Sequence, residues 1–217
     1  MKVRRYGGAK VRRYEGAKGV RQGTMVDMVR KTMILAVGVL LLMASCGDVQ
    51  NEFSMKPCHF VFDNSIHQDL TLASAMDPNS SGVFTTVTHT MRGGVRLFIF
   101  TNNRNTSSEK IFNAIDNGRT LLLGMNNGLI VGYGNQNLPP IFYAYDRECP
   151  NCYDETRIPV RSYPLRTTND GMAICNTCQR EYNMNIGGYV VKGDGGKKME
   201  RYNVNTTGPY GELRVVN

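Results

Sequence analysis

Two C-x-x-C pairs constrain this chain more than any other feature. Cys149-Pro150-Asn151-Cys152 is followed, after twenty-two residues, by Cys175-Asn176-Thr177-Cys178. Each pair sets two sulfurs on one side of a tight turn. Two such turns face to face make a four-sulfur tetrahedron, the geometry zinc takes in closed structural sites. Ligand type and spacing leave three readings for Cys149, Cys152, Cys175 and Cys178. The first is structural zinc; the second is iron, as a single ion or a [2Fe–2S] cluster; the third is two disulfides, which an oxidising envelope compartment favours. A thioredoxin-type pair would need a βαβ setting, and the flanking residues do not read that way. A closed thiolate shell around zinc leaves no open position, so it implies no hydrolytic catalysis. It also carries an excess of negative charge, which Arg147 and Arg180 stand beside the pairs to offset.

Charge is distributed unevenly along the 217 residues. The net charge is +8, yet residues 1–45 hold ten Lys/Arg against two Asp/Glu, and residues 46–217 hold sixteen of each. The body of the chain therefore has no basic excess for a phosphate backbone, and no nucleic-acid partner is expected.

The N-terminal segment has its own character. Residues 3–10 and 11–18 form a direct octapeptide repeat with one change, Gly7 to Glu15. Two polar octapeptides cannot bury a core, so the repeat reads as an extension or as sequence upstream of a true start at Met25, Met28 or Met33. Arg30-Lys31 then precedes a twelve-residue apolar run, Met33 to Ala44, and Ser45-Cys46-Gly47. A basic region, a short apolar run and a small-residue boundary make a secretory signal, and the run is too short to span a bilayer comfortably. A cysteine placed directly after Ala-Ser resembles the lipobox of bacterial lipoproteins. That resemblance implies cleavage before Cys46, lipidation of Cys46 and attachment to the membrane through the lipid. The expected organisation is a repeat and signal over 1–45, a lipidated cysteine and polar tether over 46–57, and one β domain over 58–217. The expected location is the cell envelope, at the outer membrane, facing the periplasm or the cell surface. The protein partner is unknown.

From residue 82 onward the pattern is β. Val83, Thr85, Val87, His89 and Met91 alternate with Phe84, Thr86, Thr88 and Thr90. Gly93-Gly94 predicts a tight turn into Val95–Phe100. Thr106 to Glu109 reads as a capping box opening a short helix with Ile111, Phe112 and Ile115 on one side. Residues 120–123 and 129–131 flank Asn126-Asn127-Gly128 as a second hairpin. Residues 141–145 form a strand into the first cysteine pair, and 172–174 a strand into the second. Short strands at 189–191, 201–204 and 213–216 lie between glycine turns, with Gly193-Asp194-Gly195-Gly196 as a hairpin turn. The fold class is therefore all-β, mainly antiparallel in small sheets, with one short helix. Cys58 is a bystander, because Cys58 and His59 fall on opposite faces of a strand. His67 and His89 have no carboxylate or cysteine neighbour that suggests a ligand or a catalytic base, and read as surface or packing residues.

The order of these pieces resembles the Rieske fold. The residues that carry the likeness are Ala144-Tyr145-Asp146, Cys149-Pro150, Cys175 with Cys178, Glu181-Tyr182-Asn183, Gly187-Gly188, Arg201-Tyr202 and Gly211 to Val215, within about residues 83–217. The resemblance implies ligand loops at the tips of two β-hairpins. The family's pattern is C-x-H and then C-x-x-H, and both histidines are absent here. Cys152, with one extra loop residue, and Cys178 stand in their places. Imidazole ligands raise the potential of a Rieske centre, and four thiolates remove that effect. With no G-x-S-x-G, H-E-x-x-H or phosphate-binding loop, the expected role is binding or scaffolding and not catalysis. The alternative is an iron–sulfur electron carrier.

Overall fold

The computed structural model describes Arg30 and residues 51–217. The octapeptide repeat, the apolar run and Cys46 lie outside the described residues. Twelve strands build two antiparallel sheets among them. The strands are β1 (His59–Asp63), β2 (Phe84–Arg92), β3 (Val95–Asn102), β4 (Ser107–Ile111), β5 (Leu129–Tyr133), β6 (Phe142–Asp146), β7 (Leu165–Thr167), β8 (Met172–Cys175), β9 (Glu181–Asn183), β10 (Tyr189–Lys192), β11 (Arg201–Thr206) and β12 (Glu212–Val216). Three short helices join them: α1 (Asn64–His67), α2 (Leu70–Ala75) and α3 (Ala114–Gly118). Among the described residues no helix is long and apolar enough to cross a membrane.

The large sheet has the order β1-β12-β11-β6-β5-β2-β3-β4. It curls, because strands far apart in that order share side-chain contacts. Phe62 on β1 meets Phe98 and Phe100 on β3, each at 5.1 Å between ring centroids. A first core fills the curl, with Phe60, Phe62, Phe98, Phe100, Leu129 and Val131 buried in it. The small sheet, β10-β9-β8-β7, covers a second core.

β5 and β6 feed both cores. Leu129, Val131 and Ala144 belong to the first core, while their neighbours Ile130, Tyr143 and Tyr145 belong to the second. Side chains alternate across a strand, so a strand buried on both faces must be apolar at successive positions. L-I-V and F-Y-A-Y satisfy that requirement.

The chain leaves the large sheet after β6 and returns to it as β11. These two strands are antiparallel neighbours, with Tyr145 opposite Arg201. The Asp146 N–H also donates to the Glu200 carbonyl at 2.9 Å. Everything between, including all of β7 to β10, is a loop-out from adjacent points.

Sequence and structure agree on most strands and part at three places. The Gly93-Gly94 turn joins β2 and β3 in register Arg92 to Val95, and both glycines take positive φ, as a two-residue hairpin turn of this hand requires. Residues 107–111, in contrast, are strand β4 and not a helix, because they complete the edge of the large sheet against β3. The capping box lies later, at Asn113 and Asp116, and opens the five-residue α3. Only Phe112 of the predicted apolar helix face is buried, stacked 3.8 Å from Phe98. Residues 120–123 do not pair with β5, since β2 and β6 occupy both of its edges. Leu122 instead forms an isolated bridge to His59. Finally, the Gly193–Gly196 stretch is a crossover between sheets, because β10 pairs with β9 and β11 with β6 and β12.

His67 is a packing residue with a carboxylate partner that sequence proximity could not reveal. Its ring stacks on Phe62 at 4.5 Å, and Nε2 lies 2.9 Å from Asp116 Oδ2. His89 lies 6.3 Å from the Phe112 ring, and burial lowers its pKa. Phe98 on β3 packs against Phe60 and Phe62 of β1, His67 of α1 and Phe112. Phe98→Ala should cost about 3–5 kcal/mol in urea unfolding. Ile111→Ala, on the exposed face of β4, should change stability by less than about 0.5 kcal/mol.

Candidate metal centre

The second cysteine pair occupies the tip of the β8–β9 hairpin. Cys175 ends β8 and pairs with Leu165 of β7. The turn is closed by the Gln179 N–H donating to the Cys175 carbonyl at 2.9 Å, and by the Cys175 N–H donating to the Arg180 carbonyl at 3.0 Å. Gln179 takes positive φ, which lets the chain reverse. The first pair follows β6 and is built the same way. The N–H groups of Cys152 and Tyr153 donate to the Cys149 carbonyl at 3.1 and 2.9 Å.

One segment joins the two turns. The Cys149 N–H donates to the Tyr163 carbonyl at 2.9 Å, and the Leu165 N–H donates to the Arg147 carbonyl at 2.7 Å. Residues 163–165 thus pair with the first arm while Leu165–Thr167 pairs with β8. This strand is not legible in the sequence, because its three residues sit among prolines and charges. It is what sets the two tips side by side.

All four sulfurs lie within 4.8 Å of one another. Between the turns, Cys149 to Cys178 is 3.7 Å and Cys152 to Cys175 is 3.8 Å. No pair is at bonding distance, and neither these four cysteines nor Cys58 forms a disulfide. A tetrahedron with metal–sulfur bonds of about 2.3 Å has edges of about 3.8 Å. The four cysteines can therefore hold one metal ion. Cys149 and Cys175 are buried, while Cys152 and Cys178 are half-buried. Cys58 belongs to the first core, where burial pushes its thiol up to about 12.

The surroundings act unequally on the thiols. Burial opposes ionisation of Cys178, but hydrogen bonds from the Arg180 side chain and backbone outweigh it and bring the thiol down to about 6. Burial pushes Cys149 up to about 11, against a hydrogen bond from Tyr182 and one from the Asn151 backbone. Burial and the neighbouring sulfurs also push Cys152 upward. Arg180 is itself anchored, with Nε donating to the Asp194 carbonyl at 2.8 Å and Nη2 to the Gly195 carbonyl at 3.1 Å. The glycine-rich crossover thus serves as a cradle for this guanidinium. Arg147 behaves differently from the sequence expectation: its side chain lies over Gly128 and lines a groove between the sheets.

Two further residues complete the site, and neither role could be read from spacing. The Tyr182 hydroxyl lies 3.2 Å from Cys149 Sγ. Asn151 Nδ2 donates to that hydroxyl at 2.9 Å and to the Lys197 carbonyl at 2.8 Å. Because Asn151 occupies the oxygen as an acceptor, the Tyr182 proton is free for the sulfur. Beneath the site, the buried Glu148 accepts from Asn126 Nδ2 at 2.9 Å, from Ser162 Oγ at 2.5 Å and from the Tyr163 N–H. Those bonds hold the return arm against the first turn. Nearby, burial pushes the Asp146 carboxyl up to about 6, against hydrogen bonds from Met125, Glu148 and Tyr202.

No protein-family model matches the chain, and no curated protein matches it. Tyr182→Phe removes a donor to sulfur without emptying the core. It should weaken metal binding by about tenfold to a hundredfold in chelator competition, with the circular dichroism spectrum unchanged.

Proposed function

We propose that this protein is a lipid-anchored envelope protein whose β domain, Rieske-like in plan, is fastened at its hairpin tips by one zinc ion. Its role in this reading is binding or scaffolding. The observation that carries the metal assignment is the set of four sulfurs within 4.8 Å, with edges of 3.7 and 3.8 Å between the turns. That arrangement suits a single tetrahedral ion. A [2Fe–2S] cluster would divide the ligands into two pairs on separate irons, and the sulfurs here form one group. The Arg180 donor favours the thiolate at Cys178, and the Tyr182 donor opposes part of the burial that holds Cys149 protonated. Zinc when bound would supply cross-linking between the turns and, with its shell closed, no catalytic position.

The lipid anchor rests on the Ala44-Ser45-Cys46 boundary after the apolar run. The Rieske-like reading draws support from two ligand turns that end paired strands next to a small antiparallel sheet. It does not extend to that family's redox chemistry, because imidazole ligands are missing.

Metal analysis of the purified full-length chain should find one zinc per chain and no visible absorption. A brown protein with stoichiometric iron would replace this reading with electron transfer. A metal-free protein whose four thiols resist alkylation would replace it with disulfides. Cys175→Ser should release the metal and lower the unfolding midpoint. Cys46→Ala should move the protein from the membrane fraction to the soluble fraction; equal membrane retention would sink the lipoprotein reading.

A further inference from the structure

A groove of about 360 Å³ lies where β7 approaches the open face of β2 and β3. Its floor follows from strand alternation. Val87, Phe98 and Phe100 point into the first core, so Thr86, Thr88 and Thr101 point the other way. Thr86 stands opposite Thr101 across the hairpin, and Thr88 opposite Ile99. Thr167 and Asn105 add a hydroxyl and a carboxamide at the margin. Ile99 and Leu165 are the apolar part of the lining and the Thr101 hydroxyl lies 2.7 Å from Ser107 Oγ, while Thr86, Thr88, Thr167 and Asn105 bring groups that both donate and accept hydrogen bonds.

Arg147 and Arg166 complete the wall, and no Asp or Glu lines the groove. Neither guanidinium forms an ion pair among the described residues. Arg147 is also held in position. Its methylenes lie so close over Gly128 that a Cβ there would meet Cδ at 2.7 Å and Cβ at 2.9 Å. The stem is packed and the charged end is left for the groove, an arrangement that lowers the ordering cost of binding an anion.

We infer that this groove binds an acidic saccharide, its carboxylate held by Arg147 and Arg166 and its hydroxyls by the threonine array. Guanidinium forks match carboxylate geometry. The facing hydroxyls suit a polyhydroxylated body better than an apolar one. The groove is separate from the four-sulfur centre and does not depend on which metal, if any, fills that centre.

The test is an array of uronate- and sialate-bearing oligosaccharides beside their neutral counterparts, probed with the full-length chain, with calorimetry on the best member. Saturable binding of an acidic member over its neutral counterpart is expected. Arg147→Met, which keeps the packed stem, and Arg166→Ala should each weaken it by about tenfold or more, with metal content unchanged. Arg166 is exposed, so its replacement remains a clean test if Arg147→Met disturbs the fold. Equal binding of acidic and neutral members, no acidic member bound, or affinity indifferent to Arg166→Ala would each overturn the assignment. Tighter binding of an aspartate tetrapeptide than of any saccharide would overturn it in favour of an acidic peptide.

Discussion

Two-sided burial of β5 and β6 is the constraint on which the other layers rest. Leu129 and Val131 face one core while Ile130 faces the other, and Ala144 is divided in the same way from Tyr143 and Tyr145. The first core needs the large sheet to curl, so that phenylalanines from β1 and β3 meet. The second core needs a lid, which the small sheet provides. Cys149 and Cys175 are buried members of that second core. The cysteine cluster is therefore an extension of hydrophobic packing, and its sulfurs are positioned by the apolar layer beneath them as well as by their turns.

The electrostatics of the centre follow from this placement. Burial alone would keep every thiol protonated. What offsets it is a small set of directed donors: Arg180 toward Cys178 and Tyr182 toward Cys149. Each donor is itself fixed by a hydrogen bond that leaves it no competing task. The carbonyls of Asp194 and Gly195 hold Arg180, and Asn151 holds Tyr182. A glycine-rich crossover suits such a cradle, since its backbone carbonyls remain accessible.

Features set by local chemistry are legible in the sequence. The Gly93-Gly94 hairpin, the alternation of β2 and the strands entering each cysteine pair come from near neighbours. So does the cysteine cluster, whose spacing announces its geometry. What the sequence hides is set by pairing across distance. Thr106 to Glu109 carries a good helix-start signal, but an open edge on β3 claims Ser107–Ile111 as strand. Thr120 to Leu123 looks like a strand, but β5 has no edge left for it. His67 meets Asp116 from forty-nine residues away. Leu165–Thr167 is a strand only because two neighbours need it. Arg180 serves the sulfurs as its place beside Cys178 suggests, whereas Arg147 is drawn aside by the space above Gly128.

The loop-out between Asp146 and Glu200 has a topological consequence. Its two ends are joined by a hydrogen bond and by neighbouring strands of one sheet. All four clustered cysteines lie inside it. The excursion is therefore a cassette with a closed stem, and a cross-link through these cysteines would tie only parts of it together. Such a cross-link would act on the cassette, while the hydrogen bonds of the curled sheet run past its base. Variation in the length or chemistry of the cassette can thus accumulate with the host sheet left in register, as it does for a loop hung from adjacent strands.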